Sequence, residues 1–524
     1  MAEAIGVVIV GAGPNGLMLA CELGLAGMRS VVVLDPQPGP NPAPRANRVV
    51  GEAARILDHR GLYSVLTGTS EPPKPAPRSM FAGFQLDLSS IQDSQLFVVP
   101  IQQQQLVEVL THRAAGYGAA IRWGHTLTGF DQHADCVAVH VSGPNGVYQL
   151  TAEYLVGADG GTSTTRHLAG IDFPGMSSYD LVMRMGFNLA PPDDWIQSVG
   201  GAIDMPNLTA LPPLQFHRTA QGVFAWGAMG SRVVAMTYEL AATAHEQRDG
   251  EPSDEPPMTV ADLEASVQRV LGADVPLLPV TADAPMDLRR FAGINSRIAS
   301  QYQLGRVILV GDAAHVHSPI GGPGLNLSMQ DAVNLGWKLA VVLHRRVHSS
   351  LLDTYQQERR AAAERVIMQS RSQLALFRPG PEVTALRELF SELVTEPAVV
   401  RRLGDLLSGA DNRYPMGANM HALAGHWVPD FAVSNTGGIQ RIAEFARAGR
   451  PVLVDLTGSG SYAAALSDLD EQLTVATGIL VGDVPATAML VRPDGYVAWA
   501  SSQASPTADE LRDVRTVLRQ WFGI

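Results

Sequence analysis

The sequence predicts an α/β protein in which an antiparallel sheet interrupts an α/β domain and a further domain follows. Three observations predict this fold class: a glycine-rich strand–helix–strand unit near residue 5, alternating apolar and polar residues in the middle, and a change of pattern near residue 405. The predicted boundaries are 1–175, 176–285, 286–405 and 406–524, with residues from about 75 to 100 assignable to either of the first two regions. A chain of 524 residues with 46% hydrophobic content can bury the cores of two or three domains.

Apolar runs predict the amino-terminal elements. Residues 5–10 ("IGVVIV") form a buried strand, residues 14–28 have helical apolar spacing, and "SVVVLD" is a second strand that ends at Asp35. A strand, a helix and a strand of these lengths form a right-handed βαβ unit. Another helix is predicted from about residue 101, and strands between about 121 and 158.

Alternation predicts the inserted sheet. The segments "GVFAWGAM" and "RVVAMTYEL" alternate in a way that is typical of an antiparallel sheet with one solvated face. The segment "GRVILVGD" then predicts a return to a buried strand, followed by helices to about residue 405. Beyond it, "RPVLVDL" and "ATAMLVRPDGYVAWA" provide strands for the last domain, which ends in a helix.

Composition excludes several classes of function. A net charge of −13 argues against nucleic acid and anionic membranes as main partners. The two cysteines, Cys21 and Cys136, form no CxxC pair, which argues against a disulfide framework or a zinc site. The first residues lack the basic segment of a secretory signal, and no apolar run is long enough to span a membrane. We therefore expect a cytoplasmic protein, either a monomer or a homodimer.

Residues 11–16 predict a nucleotide site, because Gly11, Gly13 and Gly16 form a GxGxxG motif between the first strand and its helix. The first glycine permits the tight turn, the second lets the backbone approach a pyrophosphate, and the third lets the helix pack on the strand. Asp35, at the end of the second strand, is placed to accept hydrogen bonds from an adenosine ribose. An acidic residue there disfavours a 2′-phosphate, so the motif favours FAD or NAD over NADP.

Four motifs together resemble those of the group A flavoprotein monooxygenases, the para-hydroxybenzoate hydroxylase-like aromatic hydroxylases. They are GAGPNG (11–16), GADGGTSTTR (157–166), GRVILVGDAAHVHSPIGGPGLN (305–326) and QDAVNLGWKLA (330–340). Within that family the chain looks most like actinobacterial members that tailor polyketides and antibiotics. The resemblance covers nearly the whole chain, and it implies a Rossmann-like FAD-binding domain, an inserted substrate domain and a thioredoxin-like C-terminal domain.

The resemblance implies a set of cofactor-binding residues. The glycine motif would bind the dinucleotide, Asp35 the ribose, Arg45 the phosphate region and Asp312 the ribityl chain. Gln104 matches the family's FAD-binding glutamine, although Gln102 and Gln103 leave the register open. The full set is Gly11, Gly13, Pro14, Asn15, Gly16, Asp35, Arg45, Gln104, Asp159, Gly160, Asp312, Pro319, Gly322, Gly324, Leu325 and Asn326.

The sequence departs from the family pattern at two places. The family often has R-T-x-E after the loop that carries Arg45, whereas this chain has Glu52 and Arg55 at those points. Many relatives have GGQG where this chain has GGPG, so Pro323 removes one N–H donor and stiffens the loop.

The resemblance also implies the chemistry. NADPH or NADH would reduce FAD, the reduced flavin would react with O2 to give a C4a-hydroperoxide, and one oxygen would pass to an electron-rich aromatic ring. Because the flavin is the reactive group, no side chain is predicted to be catalytic, and Pro319, Gly322 and Gly324 of the loop beside the ring are the nearest candidates. Baeyer–Villiger insertion, epoxidation and antibiotic inactivation use the same oxygen chemistry and stay open. A flavin reductase, a halogenase and a non-catalytic FAD-binding protein are remoter alternatives, and the halogenase motif WxWxIP is absent.

The substrate, a small aromatic molecule, is expected between the flavin and the inserted sheet. Alternation places Phe224 and Trp226 on one face, and Met236 and Tyr238 on one face. The candidates for substrate contact are Arg184, Phe216, His217, Phe224, Trp226, Met236, Tyr238 and His317, each of which is otherwise a sheet or loop residue.

Two further patterns are predicted to be structural. His315 and His317 stand two apart, but no carboxylate or cysteine nearby completes a ligand set except Asp312, so no metal is predicted. We expect His315 to orient the loop by hydrogen bonding. The C-terminal domain resembles the thioredoxin-like tail of the family yet has no cysteine, so we expect it to cover the FAD domain or to form a dimer contact.

Overall fold

A computed structural model describes residues 5–41, 46–196, 202–204, 210–229, 232–240, 257–281, 286–417, 421–469 and 471–524. In the first part of the chain the strands are β1 (Ile5–Val10), β2 (Val31–Asp35), β3 (Arg48–Val50), β4 (Arg78–Phe81), β5 (Phe84–Asp87), β6 (Val98–Pro100), β7 (Ala120–Trp123), β8 (Thr126–Gln132), β9 (Val137–Gly143) and β10 (Gly146–Gly157). The helices are α1 (Pro14–Leu25), α2 (Glu52–His59), α3 (Tyr63–Thr67), α4 (Gln103–Gly116) and α5 (Thr164–Leu168).

The remaining elements follow in three groups. The middle of the chain contains β11 (Gly175–Phe187), β12 (Leu189–Ala190), β13 (His217–Arg218), β14 (Gly222–Met229), β15 (Arg232–Leu240), α6 (Val260–Leu271), β16 (Leu278–Pro279) and β17 (Asp287–Ile298). Next come β18 (Gln303–Leu304), β19 (Val307–Leu309), β20 (His315–Val316), α7 (Gly324–Leu343), α8 (Asp353–Phe377), α9 (Pro381–Leu393) and α10 (Pro397–Ser408). Last come β21 (Ala432–Asn435), β22 (Gly438–Arg441), α11 (Ile442–Phe445), β23 (Val452–Asp455), α12 (Ser461–Ala465), β24 (Thr474–Thr477), β25 (Ile479–Val481), β26 (Ala488–Val491), β27 (Val497–Ser501) and α13 (Ala508–Phe522).

The first sheet has the order β18–β19–β10–β1–β2–β7, and β8 and β9 extend it from β10 as a hairpin. Strand β1 is parallel to both β10 and β2, and β10 is parallel to β19. Residues 7–10 of β1 are buried, as expected for a parallel strand covered on both faces. The parallel strands therefore bring the loops after β1, β10 and β19 to one edge of the sheet.

The inserted sheet has the order β13–β14–β15–β11–β17–β20, and the pairs within it are antiparallel. Helix α6 packs on one face, where Leu263 and Val267 meet Phe224 and Trp226 in one apolar cluster. The other face belongs to a second cluster that includes Met236, Tyr238 and Ile320. Strand β20 immediately precedes residues 319–326, which we call the glycine-proline loop. The inserted sheet is therefore continuous with the segment that carries this loop.

The C-terminal domain contains a sheet of order β24–β23–β26–β27, followed by helix α13. Strand β23 is parallel to β24 and antiparallel to β26, which is the strand arrangement of a thioredoxin-like fold. The sequence of this domain contains no cysteine, so it cannot perform thiol–disulfide exchange. Its last helix packs Trp521 and Phe522 against Trp337 of α7.

In the part of the chain that the structure describes, no helix is both long and apolar enough to cross a membrane. The same residues contain no group of His, Cys, Asp and Glu side chains that could hold a metal ion.

Candidate functional site

Two of the three glycines in the loop after β1 are required because neighbouring backbone leaves no room for a side chain. Gly11 has a φ of +108°, and a Cβ there would lie 2.4 Å from the Ala158 carbonyl oxygen. A Cβ on Gly16 would lie 2.0 Å from the Gly11 oxygen. By contrast, a Cβ on Gly13 would meet no protein atom within 4 Å. Gly13 therefore borders open space at the N-terminus of α1, where a pyrophosphate can approach free N–H groups.

Asp35 lies beside this loop at the end of β2. Its carboxylate accepts hydrogen bonds from the backbone N–H of Ala12, at 2.8 Å, and of Gln37, at 2.9 Å. The side chain is half-buried, and these bonds fix it against the glycine loop. The structure thus brings the predicted ribose ligand and the predicted pyrophosphate loop together.

The turn after β10 is ordered by Asp159. Its carboxylate accepts hydrogen bonds from the Ser163 hydroxyl, at 2.5 Å, and from the Thr165 backbone N–H, at 2.9 Å. Gly160 has a φ of +82°, and a Cβ there would meet no protein atom within 4 Å. Arg166 then donates to the Ala313 carbonyl at 2.9 Å, which ties this turn to the one after β19.

The turn after β19 presents Asp312 to solvent beside Asn15. Gly311 has a φ of +64°, and a Cβ there would lie 2.4 Å from the Asn15 amide nitrogen. Asp312 is exposed, with one contact of 3.4 Å from the Ser328 hydroxyl. In the described part of the chain, the buried Oδ1 of Asn15 has no hydrogen-bond partner. Open space at Gly13, an exposed carboxylate and an unpaired buried amide oxygen fit a dinucleotide that lies across these loops.

The glycine-proline loop leads into α7. The Gly322 N–H donates to the Pro319 carbonyl at 2.9 Å, and Asn326 holds the loop by donating to Gly322 at 3.0 Å while it accepts from the Val50 N–H at 2.6 Å. Pro323 is buried at the N-cap of α7, and the first intrahelical bond runs from Leu327 to its carbonyl at 3.0 Å.

The N-terminus of α7 is a partial positive charge at this loop. The N–H groups of residues 324–326 precede the first intrahelical bond and have no acceptor within the helix. A helix of 20 residues adds its dipole at the same end. Gly324 and Leu325 are half-buried rather than fully covered, so an anionic group can reach this end of the helix.

A buried cluster of charged side chains around Asp331 connects α7 to the segment before the glycine-proline loop. His315 contacts Asp331 at 2.6 Å, and Asp331 also accepts from the Gly311 N–H at 3.1 Å and from Arg359 at 2.7 Å. Burial alone would raise the pKa of Asp331, but the charges of His315 and Arg359 and their hydrogen bonds hold that pKa below its ordinary value. His315 therefore orients the loop by hydrogen bonding, as expected from the sequence.

His317 lies beside Gly324, the first residue of α7. Its Nδ1 donates to the Ser318 carbonyl at 2.8 Å, since a carbonyl can only accept, and its Nε2 lies near Gly324. Burial lowers the pKa of His317, so at neutral pH the ring is uncharged and Nε2 is an acceptor. The ring thus offers a hydrogen-bond acceptor rather than a charge beside the loop.

Two predicted cofactor residues are not seen at these loops, for different reasons. Arg45 lies outside the described residues. Gln104 is exposed and donates to Glu108 at 3.0 Å. Its neighbour Gln103 instead accepts a hydrogen bond from the Ala46 N–H at 3.1 Å, so among the glutamines whose register the sequence leaves open, Gln103 is the one that contacts Ala46.

The inserted sheet separates the predicted substrate residues into two sets. Met236, Tyr238 and Phe216 lie on the face that carries Ile320 of the glycine-proline loop. Tyr238 stacks on Phe377 of α8 with the ring centroids 5.8 Å apart, and Phe216 contacts the same ring at 4.9 Å.

The other four residues of the inserted sheet do not reach that face. Phe224 and Trp226 pack against α6. Arg184 forms an ion pair with Glu239, which also binds Ser266 of α6 at 2.8 Å. His217 pairs with Phe224 across the strands and contacts the Pro212 carbonyl at 2.9 Å. Their surroundings are those of structural residues, because each already has protein partners on the α6 side.

Several residues that the fold brings to the site are not predicted from the sequence. Ile320 and Phe377 complete the aromatic face, and Arg48 lies against Gly322 with its nearest guanidinium nitrogen 3.8 Å from the position of a Cβ. A second arginine three residues after Arg45 was the available signal for Arg48. Nothing in the sequence indicates Phe377, which reaches the sheet from the end of a long helix.

A cleft of about 720 Å³ opens beside this region, between α8 and the adjoining parts of β11 and β17. Its lining includes Ser296 and Ile298 of β17 and Ile367, Met368 and Arg371 of α8. Because Ile298 pairs with His315 of β20, the floor of the cleft is continuous with the segment that leads into the glycine-proline loop. Its volume lies within the range of small-molecule sites.

Comparisons with known proteins agree with this arrangement. Residues 4–370 match the family model described as FAD binding domain, and residues 421–524 match the model described as aromatic-ring hydroxylase, C-terminal. The chain is 36% identical to the 12-dehydrotetracycline 5-monooxygenase/anhydrotetracycline 6-monooxygenase of Streptomyces rimosus over 99% of this chain and 98% of that protein. It is 32% identical to the rifampicin monooxygenase of Streptomyces venezuelae, with the same coverage. The solved structure of OxyS anhydrotetracycline hydroxylase from Streptomyces rimosus is similar at a TM-score of 0.83 and 34% identity, and all of both chains is covered.

Proposed function

The chain belongs to the family of FAD-dependent aromatic-ring hydroxylases, and from this premise we propose that it is an NAD(P)H-dependent monooxygenase that hydroxylates a polycyclic, polyketide-like phenol with O2. One observation carries the proposal: the aromatic face of the inserted sheet meets the glycine-proline loop through Ile320. A planar apolar substrate on that face would lie next to the ring of FAD held by the loop.

The residues present fit FAD. The carboxylate of Asp35 after β2, the space at Gly13 after β1, the carboxylate of Asp312 after β19 and the N-terminus of α7 follow one another along one edge of the first sheet. They suit, in that order, the adenosine ribose, the pyrophosphate, the ribityl chain and a ring that becomes anionic on reduction. Bound there, FAD would supply the redox chemistry with O2, and the protein would supply position and exclusion of water.

The protein's own contribution to the reaction is the apolar face. This face includes the buried residues Met236, Tyr238 and Phe377. Each would offer apolar surface to the aromatic ring of a substrate stacked on it. Burial raises the pKa of Tyr238, so its hydroxyl stays protonated at neutral pH and can donate to a substrate oxygen. This combination positions a phenol by stacking and by one hydrogen bond, and it limits access of water to the reacting carbon.

The decisive experiment uses the purified, FAD-loaded protein with a library of polycyclic phenols, isotope-labelled O2 and either NADH or NADPH. We expect a yellow protein whose NAD(P)H oxidation is accelerated by its substrate, and a product that gains one labelled oxygen on an aromatic carbon. The Asp312→Ala variant is the FAD-poor control. Absence of labelled oxygen from every product would contradict the proposal.

Oxidative modification of an antibiotic is the second candidate, and similarity to a rifampicin monooxygenase favours it. The identity of the accepted substrate separates the two candidates when antibiotics are added to the library. NMR of the product then separates ring insertion from ring hydroxylation, which add the same mass but differ in the position of the oxygen. We further propose a cytoplasmic monomer or homodimer without nucleic-acid or membrane partners. The net charge of −13 supports the absence of partners that are themselves anionic.

A further inference from the structure

Arg48 places a full positive charge on the glycine-proline loop. Two nitrogens of its guanidinium lie 3.8 and 3.9 Å from the position that a Cβ on Gly322 would occupy. The strand that carries it is fixed to the same loop, because Val50 donates to Asn326 at 2.6 Å and β3 pairs with β6. The position of the charge therefore follows from the backbone as well as from a side-chain rotamer.

Within the described residues, the side chain of this arginine has no hydrogen bond and no ion pair. Other arginines of the same domain are satisfied: Arg60 binds Glu22 at 2.7 Å, and Arg166 binds the Ala313 carbonyl at 2.9 Å. The Arg48 side chain is accessible to water, yet the protein around it lowers its pKa by desolvation. Both properties belong to a charged group that lines a cleft and faces a ligand.

We propose that Arg48 contacts the isoalloxazine ring of bound FAD and stabilises the negative charge that the ring gains on reduction. The proposal rests on the proposed function for the position of the ring at the Pro319–Asn326 loop. A hydride carries two electrons and one proton, so its transfer to the neutral oxidised ring would leave the reduced ring with one negative charge. The N-terminus of α7 supplies only a partial charge at this loop, whereas Arg48 supplies a whole one.

The test measures the bound flavin without any substrate, with sulfite as the probe. Sulfite donates its sulfur electron pair to N5 of the oxidised ring, forms an N–S bond and leaves a negative charge on the ring, so its affinity reports the stability of that charge. The variants are Arg48→Met, Arg48→Lys, which keeps the charge, and Arg29→Met. Arg29 is exposed in the turn between α1 and β2, at the opposite edge of the sheet, and is the matched control.

We expect Arg48→Met to bind sulfite at least about tenfold more weakly than the unmodified protein, a modest effect for one charge a few ångströms away. A dye-calibrated titration of the same variant should show that the equilibrium constant for reduction of the bound flavin falls by the same factor. Arg48→Lys should recover most of the affinity, and Arg29→Met should match the unmodified protein. The dissociation constant of FAD should change by less than about threefold in all three, because a neutral oxidised ring gains little from the charge.

Three outcomes overturn the proposal. Unchanged sulfite affinity in Arg48→Met with FAD still bound would show that the charge faces the substrate side, where Val50 packs near Ile320. Loss of FAD from Arg48→Met but not from Arg48→Lys would make the residue a cofactor anchor instead. Equal losses of sulfite affinity in Arg48→Met and Arg29→Met would show a general effect of net charge rather than a contact with the ring. Failure of the unmodified protein to bind FAD at all would contradict the proposed function rather than the role of Arg48.

Discussion

At the residue scale, the glycines of the nucleotide loop are required for different reasons. Gly11 and Gly16 leave room for neighbouring backbone, since a Cβ on either would lie within 2.4 Å of a carbonyl oxygen. Gly13 leaves room for a ligand, since nothing within 4 Å would oppose a Cβ there. The motif in the sequence predicts all three roles, but only the structure separates the two packing glycines from the one that borders open space.

This difference predicts opposite behaviour for two alanine variants. Gly13→Ala should fold with an unchanged Tm in the absence of FAD and bind FAD more weakly, by about tenfold or more, because the added methyl group occupies the approach to the pyrophosphate. Gly16→Ala should lower the Tm of the FAD-free protein, because its Cβ would lie 2.0 Å from the Gly11 oxygen. Thermal melts of the FAD-free proteins and FAD titrations check both, and a Gly13→Ala protein with unchanged FAD affinity would contradict the placement of the cofactor.

At the element scale, the two faces of the inserted sheet have separate roles. One face packs on α6 and the other meets α8 and the glycine-proline loop. Alternation predicts that Phe224 shares a face with Trp226, and Met236 with Tyr238, and the two apolar clusters confirm both pairs. The register places the pairs on opposite faces, because Phe224 lies opposite Thr237 and Ala225 opposite Met236. Periodicity gives which residues share a face but not what covers that face, because the covering helices come from distant parts of the chain.

The separation of faces predicts a contrast between two conservative variants. Tyr238→Phe should lower kcat/KM by about three- to tenfold, the size of one neutral hydrogen bond to the substrate, with little change in Tm. Trp226→Phe should leave kcat/KM unchanged but destabilise the protein by about 1–3 kcal/mol, because the Leu211 carbonyl loses the indole N–H that lies 3.0 Å from it. Steady-state kinetics and thermal melts on the same samples give both quantities. The reverse pattern would place the substrate on the α6 face.

The register of the FAD-binding glutamine and the partners of Glu52 and Arg55 cannot be predicted from the sequence alone. Four consecutive glutamines left the register of the FAD-binding glutamine open, and a contact between Gln103 and Ala46 distinguishes them only in three dimensions. The R-T-x-E departure is similar. Arg55 donates to the Val428 carbonyl at 2.7 Å, and the Tyr496 hydroxyl lies 3.0 Å from Glu52, so both changed residues have partners in the C-terminal domain. Such long-range pairs leave no periodic signal in one sequence.

At the scale of the whole molecule, buried charges join the C-terminal domain to the FAD domain. Arg492 binds Glu358 at 2.7 Å, and Lys338 binds the same carboxylate at 2.7 Å, with all three side chains buried. Burial alone would raise the pKa of Glu358, but the charges of Arg492 and Lys338 lower it to about 2. Arg359 links this region to α7, which follows the glycine-proline loop, because it binds both Asp331 and the Tyr414 hydroxyl at 2.7 Å. The C-terminal domain is therefore part of the scaffold of the FAD site.

Glu52 makes the junction between these domains sensitive to pH. Burial raises the pKa of this carboxyl group from an ordinary 4.5 to about 8, against the smaller lowering effect of the hydrogen bond from Tyr496. The folded protein therefore keeps a proton on Glu52 that the unfolded chain releases above pH 4.5. The stabilisation from this group is complete below that pH, falls as the pH rises toward 8, and then levels off.

A Glu52→Gln variant should remove this dependence, because glutamine keeps the shape and an acceptor for Tyr496 but carries no titrating proton. We expect its Tm to be close to that of the unmodified protein near pH 5 and to exceed it increasingly up to about pH 8, where the buried carboxyl ionises. Thermal melts at constant ionic strength and heating rate provide the measurement. Glu388→Gln, at an exposed position on α9, is the matched control and should leave the difference in Tm constant with pH. A constant difference for Glu52→Gln as well would mean that Glu52 is already ionised in the folded protein, and that the junction tolerates a buried charge facing Tyr496.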